Sequence, residues 1–336
     1  LDALAVADTL ASIGYATVAI DFPLHGVSPD AEPDQAPFWI EGTPFAPVAN
    51  ERTFDADLVN NETNAFGPDG LIDASGITVI PAGVGSMRTA RDLMRQGIAD
   101  LSVLAVSLSS MDIDMDGIAD LDASNVAYVG HSWGALHGPA FVAIEPLVTR
   151  AFLAAPQGGN ARAFNASDTF GPVIESLLKN LAGIEPGSAD YESFLTVWQT
   201  LLDSADGINW SAEAVANTPI MLHEVIGDTL IPNGLLTAPL SGTEPLIRIM
   251  DLDAYSTTQQ SLDGLRAAGR FVPPATHGSL LSPLLGSPAA TAEMQKQMAS
   301  FIASHGGAIV VSDESTMVQE VAVQLNSTAD LSEKSS

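Results

Sequence analysis

The chain has 336 residues, with 41 acidic residues against 12 basic, a net charge of −29, 46% hydrophobic residues and no cysteine. Neutralising phosphates needs a basic face, so this balance argues against nucleic acid as a partner, and the missing cysteines exclude disulfides, thiol catalysis and cysteinyl metal sites. The length suits one large α/β domain with an inserted cap, or two small domains, and no apolar run reaches the roughly 18 residues of a membrane span.

Residues 1–13, with Leu1, Leu4, Ala5, Leu10 and Ile13 apolar, read as a helix closed by Gly14. Tyr15–Phe22 reads as a buried strand that Pro23 breaks. Residues 29–85 are irregular and rich in Pro, Gly, Asn and Asp. They are too many for an ordinary loop and are expected as a functional excursion near a pocket. A helix is predicted from about Ser86 to Leu108, because Met87, Ala90, Met94, Ile98, Leu101, Ala105 and Leu108 recur at helical spacing. Asn125–Val129 reads as a strand, Ala135–Ile144 as a helix and Ala151–Ala155 as a strand. Residues 160–217 interrupt this alternation with two amphipathic helices. One carries Val173, Ile174, Leu177, Leu178 and Leu181; the other carries Tyr191, Phe194, Leu195, Trp198, Leu201 and Leu202. Ile220–Ile226 is a strand, 251–268 a helix or loop, Arg270–Val272 a short strand and 290–304 the last helix. Ala308–Val311 is expected as an extra edge strand, followed by a polar, frayed tail.

Alternating short buried strands and helices predict an α/β fold, a mainly parallel sheet with helices on both faces. The expected organisation is a core in two parts, 1–159 (with 29–85 as the excursion) and 218–310. A helical cap or lid spans 160–217, and 311–336 forms a C-terminal edge segment and tail. Active groups then belong at the carboxyl ends of the strands.

Gly130-His131-Ser132-Trp133-Gly134 directly follows a predicted strand and opens a helix. Small residues on both sides of Ser132 permit the sharp turn that projects a nucleophilic hydroxyl. In this arrangement an acid and then a histidine follow the serine in the chain. Asp228, after Ile220–Ile226 and Gly227, is the candidate acid. His277, in Pro274-Ala275-Thr276-His277-Gly278, is the candidate base. Among the six histidines, His25 precedes the serine and lines the pocket on this reading. His131 lies in the turn, His137 one turn into the next helix, and His223 mid-strand as a core residue. His305, at the end of the last helix, is the alternative base.

Asp112-Ile113-Asp114-Met115-Asp116-Gly117-Ile118-Ala119-Asp120 places Asp112, Asp114, Asp116 and Asp120 at positions 1, 3, 5 and 9 of a calcium loop. Gly117 falls at position 6 and the Ile118 carbonyl at position 7, whereas position 12 is Ala123 instead of Glu. The alternative is a solvated acidic turn. The loop precedes a strand that Ser132 follows, so the expectation is a structural calcium on the opposite edge of the sheet, about 16 Å away, with no part in catalysis.

Gly14–Gly26, Asp57-Leu58-Val59-Asn60-Asn61, the run from Met111 through Gly134 and Leu202–Asp206 together resemble the bacterial extracellular lipase and lysophospholipase family of the α/β-hydrolases. The resemblance implies a serine carboxylic-ester hydrolase acting on small-molecule or lipid esters. It implies no cofactor for the chemistry, transient contact with a lipid interface, and secretion or display at the outer cell surface. It also places Trp133, His131, His25 and Leu24 around the oxyanion and substrate. Two departures stand out. Members usually carry Leu where Trp133 stands, and their early strands and a His-Gly oxyanion loop would precede Leu1. The chain is therefore expected to be the C-terminal, N-terminally incomplete part of a longer enzyme. The alternatives are an esterase for aromatic or polymeric esters and a non-catalytic, calcium-stabilised module with the hydrolase fold.

Overall fold

The computed structural model describes residues 3–319. In chain order, α1 is Leu4–Ala11, α2 Val79–Gly85, α3 Met87–Ser107, β1 Val126–His131, α4 Trp133–Ile144 and β2 Val148–Ala154. Then come α5 Asn160–Ala166, α6 Phe170–Ala182, α7 Ala189–Leu202, α8 Ser211–Asn217, β3 Ile220–Val225 and α9 Thr243–Ile249. The last elements are β4 Asp253–Tyr255, β5 Gln259–Gln260, β6 Arg266–Phe271, α10 Pro288–Ala303 and β7 Ala308–Ile309.

The chain divides into two compact units. The first holds the described residues of Leu1–Val18, Ser102–Ala163 and Asp206–Ser336; the second holds Ala19–Leu101 and Phe164–Ala205. Helices α6 and α7 fall in the second unit with residues 19–101, and α8 falls in the first.

The first unit is built on a parallel five-stranded sheet in the order β1-β2-β3-β6-β4. Successive strand residues face opposite sides. Phe152, Met221, Val225 and Phe271 join Val6 and Leu10 of α1 and Met294, Met298 and Phe301 of α10 in one core. Leu153, on the other face, meets α4, where a Cβ on Gly138 would lie 2.4 Å from Leu153 Cδ2. The sheet is therefore covered on both faces, as expected. Ser287 starts α10 by accepting the Ala290 N–H, with Pro288 at the first helical position.

Three expectations need correction. Tyr15–Phe22 forms no strand, and residues 16–19 are exposed. Strand propensity is realised only where a ladder partner exists. Tyr15 is instead pinned through its hydroxyl, which accepts hydrogen bonds from Asn125 Nδ2 at 2.9 Å and from the buried Arg150. Residues 251–268, read as a helix or loop, carry β4, β5 and the start of β6, and the helix lies earlier, as α9. Ala308–Val311 supplies only β7, which pairs antiparallel with β5 in a separate sheet. The segment after it packs down: Met317 is 3% exposed, and Val318 N donates to Arg270 O at 2.8 Å. The rest of the expected polar tail lies outside the described residues.

In the second unit, α3 buries Ala90, Met94, Ile98 and Leu101, and the same apolar stripe continues to Ala105 in the first. Helix α2, inside the stretch expected to be irregular, packs on α6. Helix α6 buries Ile174, Leu177 and Leu178 and ends at Gly183 with φ +67, while Leu181 of the expected stripe is exposed. Helix α7 buries Tyr191, Leu195, Trp198 and Leu202. Between residues 29 and 78, side chains serve much of the backbone. Asp73 accepts from Leu58 N and Val59 N, Asp57 from Asp69 N and Gly70 N, and Glu51 from Val27 N and Ile40 N.

Candidate active site

Strand β1 stops at His131, and α4 starts at Trp133, so Ser132 alone makes the turn, with φ 50 and ψ −116. A non-glycine residue at positive φ is costly and persists where its surroundings fix it. Here Ser132 N donates to Ala154 O on β2 at 2.9 Å, and Leu136 N donates to Ser132 O at 2.9 Å. Gly130 makes the crossing possible, since a Cβ there would lie 2.9 Å from Ala135 N and from the Gly134 backbone. Gly130→Ala is therefore expected to destabilise the protein by about 1–3 kcal/mol. Denaturant unfolding measures this; a midpoint equal to that of the parent would mean that the turn relaxes freely.

Asp228 and His277 come together from separate strands. Asp228 lies in the turn after β3 and His277 in the loop after β6, and these strands are neighbours. His277 Nδ1 lies 2.7 Å from Asp228 Oδ2, with side-chain exposures of 13% and 2%. The other Asp228 oxygen accepts from Leu230 N at 2.8 Å and Ile231 N at 3.1 Å, which fixes the carboxylate plane. With Nδ1–H directed at a carboxylate, Nε2 is left as the basic nitrogen.

His131 contributes through the loop that carries His277. Its Nε2 hydrogen-bonds His277 O at 2.8 Å, with the two rings 5.0 Å apart. The residue before Ser132 thus ties the His277 loop to the β1–α4 turn. Trp133 heads α4, and its ring packs edge-on against His137, whose Nδ1 bonds Trp133 O at 2.8 Å. His223 is buried in the core as expected, 3.0 Å from both Tyr255 Oη and Gln297 Oε1, and burial pushes its pKa down to about 3. His305, the alternative base, is exposed beyond the end of α10. Leu24 and His25 belong to the second unit. Leu24 has φ 67, and His25 Nδ1 bonds Pro23 O at 2.9 Å.

The residue 112–120 loop gathers Asp112, Asp114 and Asp116, whose carboxylates lie within 4.8 Å of one another. Asp112 accepts from Asp116 N and Gly117 N, with Met115 and Gly117 at positive φ. Asp120 instead turns one oxygen to Ile113 N at 2.6 Å, and Ile118 is 69% exposed. Three hard oxygen donors therefore converge, fewer than the loop's spacing offers.

A charged cluster on β3, β6 and α9 is absent from the candidate residues of the sequence. Glu224 on β3 pairs in register with Arg270 on β6, and its Oε2 lies 3.0 Å from Arg270 Nε. The Arg270 fork donates to Glu244 of α9 at 2.8 and 3.0 Å. The available signal was Glu224 itself, a charge inside the apolar strand Ile220–Val225. Such a residue is almost never fully buried without a partner.

An elbow serine between strand and helix, followed in chain order by an acid and a histidine on loops of one parallel sheet, is the α/β-hydrolase arrangement. The fold is α/β, with a parallel five-stranded sheet covered by helices on both faces. No protein-family model and no curated protein sequence matches the chain. Similar solved structures include a puromycin hydrolase, at 13% identity over 66% of this chain and 27% of that one, with a TM-score of 0.40. Others are the acetyl xylan esterase 1 of Thermoanaerobacterium sp. (15% identity, 59% and 52% of the two chains, TM-score 0.37) and a Pyrococcus furiosus esterase (14%, 72% and 69%, 0.35). The chain spans 27% of the length of the puromycin hydrolases it resembles. No described helix is long and apolar enough to cross a membrane.

Proposed function

We propose that this protein is a serine carboxylic-ester hydrolase acting on hydrophobic or lipid esters. The observation that carries the reading is the Asp228–His277 contact at 2.7 Å, on a loop tied by His131 to the turn that presents Ser132. In the proposed reaction Ser132 Oγ attacks the ester carbonyl carbon, and its proton passes to His277 Nε2. Asp228 holds the imidazole tautomer and balances the imidazolium that forms. The tetrahedral oxyanion accepts from the Trp133 amide at the start of α4. Collapse expels the alcohol, which takes the proton from His277. Water, deprotonated by the same imidazole, then attacks the acyl-enzyme and releases the acid.

A fluorophosphonate probe tests this directly, with one adduct expected, on Ser132. A protein that stays unlabelled and leaves p-nitrophenyl acyl esters intact is not such a hydrolase. A chain-length series of those esters separates a lipid-type acyl pocket from one for aromatic or polymeric esters. The acidic balance supports a saline or extracellular setting, where a charged surface keeps the protein soluble.

We further propose that Asp112, Asp114 and Asp116 hold a structural calcium. It would neutralise carboxylates otherwise crowded within 4.8 Å. Millimolar calcium is then expected to raise the melting temperature over EDTA by about 2–5 °C, and Asp114→Asn to abolish the shift. Identical melting in calcium and EDTA would leave a plain acidic turn.

A further inference from the structure

Two strands deliver the residues of the proposed proton relay. Asp228 follows β3 by a three-residue step, and His277 follows β6. The last rungs of the β3–β6 ladder are Glu224 opposite Arg270 and Val225 opposite Phe271. A buried carboxyl group and a guanidinium therefore meet, at 3.0 Å, where both strands leave the sheet. Glu224 is fully buried, and Arg270 has a side-chain exposure of 15%.

Helix α9 closes the cluster from outside. Glu244, in its first turn, receives both arms of the Arg270 fork, an arrangement that fixes direction as well as distance. The same helix start holds the acid turn. Glu244 N donates to Asn233 O at 2.7 Å, and Thr243 N to Pro232 O at 3.2 Å. Gly242, at φ +115, admits this approach, since a Cβ there would lie 2.7 Å from both the Asn233 and Pro232 carbonyls. Asn233 then staples the turn across its base, accepting from Gly227 N at 2.8 Å and donating to Val225 O at 2.7 Å. Arg270 is thus one guanidinium linked to β3, to β6 and, through Glu244, to the 226–234 turn.

We propose that Arg270, with Glu224 and Glu244, is a positioning cluster that holds the Asp228 turn and the His277 loop in register for proton transfer. The proposal rests on the Ser132–His277–Asp228 reading above. Arg270 touches no reacting group; it acts through the strand ends.

The cluster has its own titration. Two carboxylates share one guanidinium in a buried place, so one of them is held protonated more readily than usual. Burial, with the charge of Glu244, pushes Glu224 up to about 8 against the pull of Arg270. Burial also raises Glu244, but the Arg270 fork outweighs it and holds that carboxyl below its ordinary value, helped by Arg248. The groups facing Glu224 are thus Glu244 on α9, Arg270 on β6 and the Asn233 amide of the turn, while Arg248 acts on Glu244. When Glu224 ionises it competes with Glu244 for Arg270, and the acid turn loosens.

The test uses the intact protein with three substitutions, Arg270→Met, Arg270→Lys and Glu224→Gln, each checked by circular dichroism. Two readouts are followed: the rate of fluorophosphonate labelling at Ser132, and the downfield proton resonance of His277 Nδ1–H. Arg270→Met is expected to slow labelling by about 10- to 100-fold and to shift or broaden that resonance, and Arg270→Lys to recover part of both. In the parent, labelling should decline above pH about 8, and Glu224→Gln should remove that decline. A folded Arg270→Met protein with the parent's rate and resonance overturns the proposal. If Arg270→Met does not fold, a Glu224→Gln protein that keeps the parent's high-pH decline overturns it instead. A parent that takes no label defeats the catalytic reading alone; a resonance that still shifts in Arg270→Met then supports the positioning role.

Discussion

Ser132→Ala is expected to lower turnover of a short-chain ester by on the order of 10⁴- to 10⁶-fold while leaving the melting temperature within a few degrees of the parent. The size follows from the division of labour in the proposed site. Without the hydroxyl no acyl-enzyme forms, and only uncoupled help from the oxyanion donor and substrate binding is left. The fold should tolerate the change. The anchors of the turn, Ser132 N to Ala154 O and Leu136 N to Ser132 O, are backbone bonds that alanine keeps. The positive φ of 50 is borne by a Cβ in either residue. Steady-state kinetics with burst analysis measure the loss. Turnover within tenfold of the parent would assign the nucleophile elsewhere and remove the proposed chemistry.

Asp228→Asn should cost about 10⁴-fold in kcat with little loss of fold. The asparagine carbonyl can still accept from Leu230 N and Ile231 N, now served by Asp228 Oδ1. Its amide nitrogen then faces His277 Nδ1, 2.7 Å from the oxygen it replaces. An N–H there invites the wrong tautomer, with the proton on Nε2, where the Ser132 proton should go. The developing imidazolium also loses its counter-charge in a site where both side chains are largely shielded from solvent. Nitrogen-15 spectra of His277 report the tautomer and kinetics report the rate. A variant with parental kcat would reduce Asp228 to a turn residue that merely caps Leu230 and Ile231.

Much of the candidate site was legible residue by residue. The turn around Ser132 needs Gly130 for local steric reasons, which operate before any partner arrives, whereas a Cβ on Gly134 would meet only Tyr128 Oη at 3.8 Å. The helices α3, α6 and α7 could likewise be read from apolar spacing, because a helix satisfies its own backbone and needs only one face covered. Asp228 and His277 could be named as candidates from the strands before them, but their contact could not. It requires β3 and β6 to be neighbours, a fact of sheet order that carries no local signature.

The failures share one cause. Tyr15–Phe22 has strand composition, yet a strand exists only where a second chain segment pairs with it in a ladder, and among the described residues it forms no strand. Residues 251–268 were ambiguous because strands as short as β4 and β5 leave too few positions to show a period. The role of His131 emerged only when the His277 loop came within reach of its ring. Glu224 and Arg270, 46 residues apart by subtraction of their numbers, look like two unrelated charges until register sets them opposite each other and α9 adds Glu244. Local sterics and self-contained hydrogen bonding therefore determined the Ser132 turn and the main helices, and chain order behind the predicted strands named the candidate acid and base. Only tertiary structure decided which strands pair, which imidazole meets which carboxylate and which charges are buried together, because those energies depend on partners that chain connectivity does not supply.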